Sequence, residues 1–361
     1  MTAPPDRAGE GGAPALTDGP PPPRVRFSLR LNNDLPVADY VALARAAEAA
    51  GFDQFWVSND LFLRSAPVLL AVVAGATSRI ELGTCILNPY TIHPAEIAML
   101  AATLDELSGG RFNLGLAAGA AEFLKWVGLP RTRPVDTTRR ALLAIRATLA
   151  GRRGADPAWT SDAYLRFSAP RPVPIYLGAL SPRTLRLAGE VADGALPLLF
   201  PPEHYETVLP LLAAGAARAG RSVDDLDIAA CVWCSIADDR AAAEDALKDK
   251  IAYYGHALSP LIWDRLGVTR ADFLPLERAL MTERDPAKAR ALVTAPMLQI
   301  GVVGTPRDLL ARLEGLCRRG VRHLSLGPPL GPDPLAAVEA IGREVIPHFR
   351  VGQSGGRAVG Q

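Results

Sequence analysis

The sequence predicts an α/β fold, a (β/α)8 TIM barrel, and three observations carry that prediction. Short apolar runs of strand length alternate with longer stretches whose apolar positions recur at helical spacing. Eight such strand–helix units occupy roughly 330 residues, within the size range of a closed parallel barrel. The alternative, an open doubly wound sheet, lacks its nucleotide fingerprints. Gly115-Leu116-Ala117-Ala118-Gly119 does not have GxGxxG spacing, and there is no GxxxxGK(S/T) loop.

The elements follow in order. Residues 1–23 hold seven prolines and four glycines and bury too little apolar surface to offset the entropy of ordering, so a disordered tail is expected there. A flexible tail is expected again over 351–361, leaving one domain over 24–350. A strand is predicted over 25–31, then a helix over 36–50 stopped by Gly51. Strand 53–57 leads into helix 66–76. Strand 79–87 leads into helix 94–107, with Pro94 in its first turn. Strand 111–117 is followed by a loop and then helix 135–149.

The second half repeats the pattern: strand 173–177 and helix 182–191, strand 194–198 and helix 202–219, strand 227–236 and helix 239–253. An insertion of broken helical pieces over about 255–299 comes before the last strand. Helix 306–318, strand 321–326 and helix 333–346 complete the chain. Strands separated by helices pair in parallel through right-handed crossovers.

Composition excludes several classes. With 39 basic against 38 acidic side chains the net charge is +1, so there is no electrostatic footprint for nucleic acid or for an anionic membrane surface. No run approaches the roughly 18 apolar residues of a spanning helix, and no signal-peptide pattern opens the chain. A cytoplasmic protein with a small-molecule substrate is expected, with no nucleic-acid or membrane partner, as a homodimer. Only four basic residues are lysine, which reads as the coding bias of a GC-rich genome.

Four scattered cysteines cannot form a disulfide framework. Cys231 and Cys234 have CxxC spacing but lie in an apolar strand, where period-two geometry points them to opposite faces. His93 precedes a helix-opening proline, and His204, His256, His323 and His348 share no ligand spacing, so no metal is expected.

A barrel places its active site at the C-terminal ends of the strands. That selects Asn32-Asn33, Ser58-Asn59-Asp60, residues 85–89, residues 118–120, residues 178–182, Leu199-Phe200 and Gly327-Pro328. Few of these ionise, which argues against a two-carboxylate or two-metal hydrolase. Asp105 and Glu106 fall at the far end of a helix and read as structural.

Several stretches together resemble the luciferase-like monooxygenase superfamily, and most closely its deazaflavin-dependent, methylenetetrahydromethanopterin reductase-like branch. They are Ala47-Glu48-Ala49-Ala50-Gly51-Phe52-Asp53, Phe55-Trp56-Val57-Ser58, Asn88-Pro89-Tyr90-Thr91-Ile92-His93-Pro94 and Thr103-Leu104-Asp105-Glu106-Leu107-Ser108-Gly109-Gly110-Arg111. Pro174-Ile175-Tyr176-Leu177-Gly178-Ala179-Leu180-Ser181-Pro182 and Gly304-Thr305-Pro306 match in order as well. The resemblance implies a barrel that binds coenzyme F420, or alternatively FMN, across its strand ends.

It also implies roles for single residues. Cys85–Ile86 would be a non-proline cis peptide, with Ile86 as backstop to the ring. Asn59 and Asn88 would contact the ring system, and Ala118 and Gly119 would let it approach. Leu180 and Ser181 would present a helix start to the cofactor's phosphate, with Arg183 near.

Three departures put the substrate in doubt. Asp60 stands where relatives carry a histidine. Ala120 replaces an acid, leaving Glu122 two residues on. Arg30 replaces a glutamate of the methanopterin reductases. Asp60 and Glu122 are then the candidate proton-transfer residues. The first expectation is an F420-dependent oxidoreductase moving hydride to or from an imine, activated C=C or alcohol. The alternatives are an FMN-dependent monooxygenase served by a flavin reductase partner and O2, and a non-catalytic sibling of either.

Overall fold

The computed structural model describes residues 24–255, 258 and 260–351. The expected tails over 1–23 and beyond 351, and His256 with them, lie outside the described residues.

The strands are β1 (Arg26–Leu31), β2 (Gln54–Val57), β3 (Glu81–Thr84), β4 (Phe112–Leu116), β5 (Ile175–Ala179), β6 (Gly194–Pro197), β7 (Asp227–Ile236), β8 (Val302–Gly304) and β9 (His323–Leu330). Every pairing is parallel, and β6–β7 and β9–β1 contacts close an eight-stranded ring from which only β8 is left out. This is the TIM barrel. The sequence alone predicts no strand at 302–304; among the described residues these three pair only with Cys234–Ile236 at the upper end of β7. So short a segment carries no readable period.

Between the strands run α1 (Val37–Ala50), α2 (Ala66–Ala76), α3 (Pro94–Leu107), α4 (Ala121–Trp126), α5 (Pro134–Leu149), α6 (Pro182–Val191), α7 (Tyr205–Arg218) and α8 (Arg240–Tyr254). The insertion before the last strand holds α9 (Pro260–Leu266), α10 (Arg270–Glu277), α11 (Pro286–Ala291) and α12 (Ala295–Leu298). Then come α13 (Pro306–Arg318), α14 (Pro334–Ala340) and α15 (His348–Val351). The expected loop after β4 contains α4, and the expected helix over 333–346 changes to a π-turn at Ile341–Val345. No helix among the described residues is long and apolar enough to cross a membrane.

Helices bury their apolar faces against the outside of the ring, where Leu, Ile, Val and Phe side chains form one continuous core. The inside of the ring is polar at its lower end. Asp227 accepts from Arg26, from the Tyr176 hydroxyl and from His323 Nδ1, while His323 Nε2 meets Ser28 Oγ. Burial opposes the Asp227 charge, but the neighbouring His323 and Arg26 hold its carboxyl well below the usual range. Glu81 accepts from Arg26, Gln54 and Asn113.

Above this layer Trp56 and Tyr176 meet edge to face, ring centroids 5.0 Å apart. Glycine makes room for both. A Cβ on Gly83 would lie 2.2 Å from the Trp56 ring, and one on Gly194 would lie 2.2 Å from Tyr176. The aromatic plug is the floor on which the upper site rests.

Two family-like motifs are structural clamps. Glu48 accepts backbone N–H groups of Ser78, Arg79 and Ile80, tying α1 to the entry of β3. Arg111 donates to the carbonyls of Ala74, Thr77, Ile80 and Ser108. Buried Asp105 accepts from the Phe112 amide and lies 3.4 Å from Arg171.

Candidate active site

At the top of β3 the backbone leaves the ladder. The Cys85–Ile86 peptide is cis, as the resemblance implies, and Leu87 rejoins the sheet against Leu116. Thr84 Oγ1 bonds both the amide and carbonyl of Gly115, where a Cβ would fall 1.9 Å from Thr84 O. The bulge turns Ile86 inward over the Trp56–Tyr176–Leu196 cluster, half-buried and facing β5. On that side Gly178 leaves space, since a Cβ there would lie 3.0 Å from Ile86 Cγ2.

Asn88 and Gly119 come together. Gly119 has φ +71, and a Cβ on it would lie 3.2 Å from Asn88 Nδ2. The Asn88 carbonyl oxygen is committed to its own turn, accepting from Tyr90 N, Thr91 N and Thr91 Oγ1. Only its amide nitrogen is left for a ligand. Ala118 is buried beside it. Asn59 is turned to a local task, its Oδ1 accepting the Ala66 N–H at the start of α2.

The start of α6 is also more occupied than expected. Ser181 and Thr184 form a capping box, and the amides of Leu180 and Ser181 both donate to Thr184 Oγ1. Arg183 is exposed and has no hydrogen-bond partner among the described residues. A phosphate there would have to compete with Thr184.

The ionisable groups gather around Asp60. Buried Asn33 pins its backbone, donating to Asp60 O at 3.0 Å and accepting from Asp60 N at 3.2 Å. The Tyr254 hydroxyl donates to Asp60 Oδ2 at 3.1 Å. Desolvation raises the Asp60 pKa; the Tyr254 hydrogen bond and Lys250 counteract only part of it. Lys250 sits one helical turn before Tyr254, its Nζ 4.1 Å from the Tyr254 ring centre and 5.4 Å from that of Trp233. Burial brings its pKa down to about 8.

Glu122, the other candidate acid, is exposed in the first turn of α4 without a hydrogen bond among the described residues. The same loops form an apolar rim. Phe62 is 75% exposed and Trp126 53%, their centroids 6.3 Å apart, and Phe123 stacks on Trp126 at 4.9 Å.

Sequence reasoning missed Lys250 and Tyr254 as site residues. The available signal was an i, i+4 pair on one face of α8, with a lysine in a chain that otherwise uses arginine. The thiols at the mouth are not acidic: burial pushes Cys85 up to about 11 and also raises Cys231. Among the described residues no three His, Cys, Asp or Glu side chains converge as metal ligands.

A hollow of about 670 Å³ lies at the opposite, N-terminal end of the strands, lined by Arg24, Arg26, Glu48, Asp53, Arg79 and Arg350 among others. Asp53 is paired there with Arg24 and Arg350, and Arg26 with Glu81. It lies away from the strand tops, where barrel chemistry is built.

Comparison with known proteins agrees with this geometry. The luciferase-like monooxygenase family model matches residues 18–323. The 5,10-methylenetetrahydromethanopterin reductase of Methanolobus tindarius is 35% identical over 326 residues, covering 89% of this chain and all of that protein. The F420-dependent glucose-6-phosphate dehydrogenase of Beutenbergia cavernae is 31% identical, covering 86% of this chain and 93% of the relative. The solved coenzyme F420-dependent tetrahydromethanopterin reductase of Methanopyrus kandleri superposes with a TM-score of 0.84 at 31% identity, covering 90% of this chain and 99% of that one. The chain belongs to the luciferase-like monooxygenase family, among its F420-dependent oxidoreductases.

Proposed function

We propose that this protein binds coenzyme F420 at the barrel mouth and moves hydride between it and a small organic carbonyl, imine or alcohol, with Asp60 handling the proton. The observation that carries the reading is Asp60 itself, a carboxyl with a raised pKa, held by Asn33 and Tyr254 at the mouth of the barrel.

The residues present fit the group. A flat ring system needs an apolar platform and neighbours without bulk. Half-buried Ile86 supplies the platform on the β3 bulge, and Ala118, Gly119 and Gly178 supply the clearance. Asn88 Nδ2 is a donor with no protein partner among the described residues. Asn59, Leu180, Ser181 and Arg183 belong to the reading as the loop tops flanking this platform. When bound, F420 supplies or accepts two electrons as hydride at its C5 carbon.

The chain's own contribution is position and proton. Protonated Asp60 gives its proton to the substrate oxygen or nitrogen as hydride arrives at carbon, and ionised Asp60 takes the proton back in the reverse direction. The Tyr254 hydroxyl bond fixes the carboxyl's orientation in either state. The apolar rim of Phe62, Phe123 and Trp126 suits an apolar substrate body.

Purified protein titrated with F420 and with FMN, followed by fluorescence, tests the reading. F420 binds more tightly, and its 420 nm absorbance changes with turnover of a ketone or alcohol panel. Micromolar FMN binding with no F420 binding overturns it in favour of a monooxygenase.

A further inference from the structure

Arg30 is a buried cation with a thiol, Cys231, at hydrogen-bond distance but no carboxylate partner among the described residues. It is 4% exposed, and its Nε and Nη2 atoms have no hydrogen-bond acceptor among the described residues. Strand periodicity explains where it points. Ser28 faces into the ring, where it meets His323, so Arg30 shares that inner face one layer nearer the strand tops. Its polar neighbours there are Cys231 and Cys85, two neutral thiols that cannot balance a guanidinium.

The lower layer shows the contrast. Arg26, on the same strand and face, is paired with both Asp227 and Glu81. A guanidinium cannot shed its charge, and a buried unpaired charge is costly. A second cation, Lys250, approaches the same thiol layer and makes no salt bridge among the described residues. Lys250 at least has Asp60 and Asp34 near it, whereas Arg30 faces thiols alone.

We propose that Arg30 is the receptor for a ligand oxyanion: a carboxylate or enolate-type oxygen, carried by the substrate or by the cofactor's ring, completes its hydrogen bonds at the barrel mouth. The planar fork of donors suits such a delocalised oxygen pair. This rests on the hydride-transfer reading of the mouth and narrows its ligand chemistry. With the apolar rim above, the fitting substrate is an organic acid with an apolar body.

The probes are benzoate and its neutral analogue benzyl alcohol, titrated into the protein with and without F420 and followed by tryptophan fluorescence and melting temperature. Benzoate at least tenfold tighter than benzyl alcohol, with the preference lost in Arg30→Met, assigns the anion to the substrate. F420 affinity at least tenfold weaker in Arg30→Met, with no preference for the acid, assigns it to the ring. An Arg30→Met protein with unchanged affinities for both F420 and benzoate overturns the proposal. Should that variant not fold, Arg30→Lys, which keeps charge and loses the fork, is read the same way. Failure of the unchanged protein to bind F420 sinks the functional reading alone, because the acid titration without cofactor still tests Arg30.

Discussion

Tyr254, at the end of α8, donates its hydroxyl proton to Asp60 Oδ2 across 3.1 Å, joining the loop after β2 to a residue 194 positions away. That bond holds the carboxyl in a partly desolvated setting beside Tyr254 and Lys250. The direction of its pKa shift follows from burial, and the direction sets what substitutions do.

Asp60→Asn lowers turnover on the order of 100-fold, the usual scale for a general acid–base residue, with F420 affinity unchanged. The same change leaves melting temperature level or higher at pH 7. A raised carboxyl pKa means that the ionised form costs folding stability, a cost that is full above the folded value and shrinks as pH falls through it toward the unfolded 3.8. Unchanged turnover makes Asp60 a turn residue and returns the proton to Glu122 or water.

Tyr254→Phe removes the donor that favours the ionised carboxylate. The limb of the kcat–pH profile that reports Asp60 then moves to higher pH. A profile that stays in place shows that Asp60 does not control it.

Lys250→Met relieves a half-buried cation. Because the folded pKa is about 8 against an ordinary 10.5, the penalty is fully present below about pH 8 and fades as pH rises toward 10.5. The variant is more stable than the parent at pH 7 by on the order of 1–3 kcal/mol, and the difference shrinks between pH 8 and 10.5. Chemical denaturation at pH 7, 9 and 10.5 reads this directly. A difference independent of pH excludes the desolvation argument.

Gly83→Ala forces a methyl group to within 2.2 Å of the Trp56 ring unless that ring moves. Overpacking of this kind costs about 3 kcal/mol, seen as a fall of several degrees in melting temperature. Because Trp56 lies beneath Ile86, F420 affinity falls with it.

Glu48→Gln tests the clamp at the entry to β3. Burial works against this carboxylate, but the amides of Ile80, Arg79 and Ser78 outweigh it and hold the pKa down to about 2. The substitution costs about 1–2 kcal/mol at neutral pH. For a depressed carboxyl the stabilisation is present above 4.5 and lost as pH falls toward 2, so the two proteins converge in acid. A gap that persists at pH 2 rules out the charge as its source.

The positions of the strand ends are legible in the sequence. The strand ends at Asn59-Asp60, at Cys85–Ile86 and at Ala118-Gly119 lie where alternating strands and helices put them. The details that differed were contacts within a single turn. Asn88 spends its carbonyl on Tyr90 and Thr91, and Thr184 fills the start of α6, because side-chain oxygens satisfy the nearest free amides first. Glu122 moved to the surface because residues 121–126 form a helix too short to show its period.

Alternation of apolar run lengths is a local property of the chain, so the sequence by itself determined that parallel strands alternate with helices, as the closed barrel has them. Glycine where a ring needs space, at Gly83 beside Trp56 and Gly194 beside Tyr176, is a relation between neighbouring strands and shows only once they pair. Charge state is not local either. Whether Arg30 finds a partner, and whether Asp60 keeps its proton, depends on which distant side chains share one desolvated space. Tyr254 reaches Asp60 only because α8 packs over the ring mouth, and Arg30 stands beside Cys85 and Cys231 only because the ring closes. Only the tertiary structure decided those electrostatics, because desolvation is set by everything that surrounds a group and not by its neighbours in sequence.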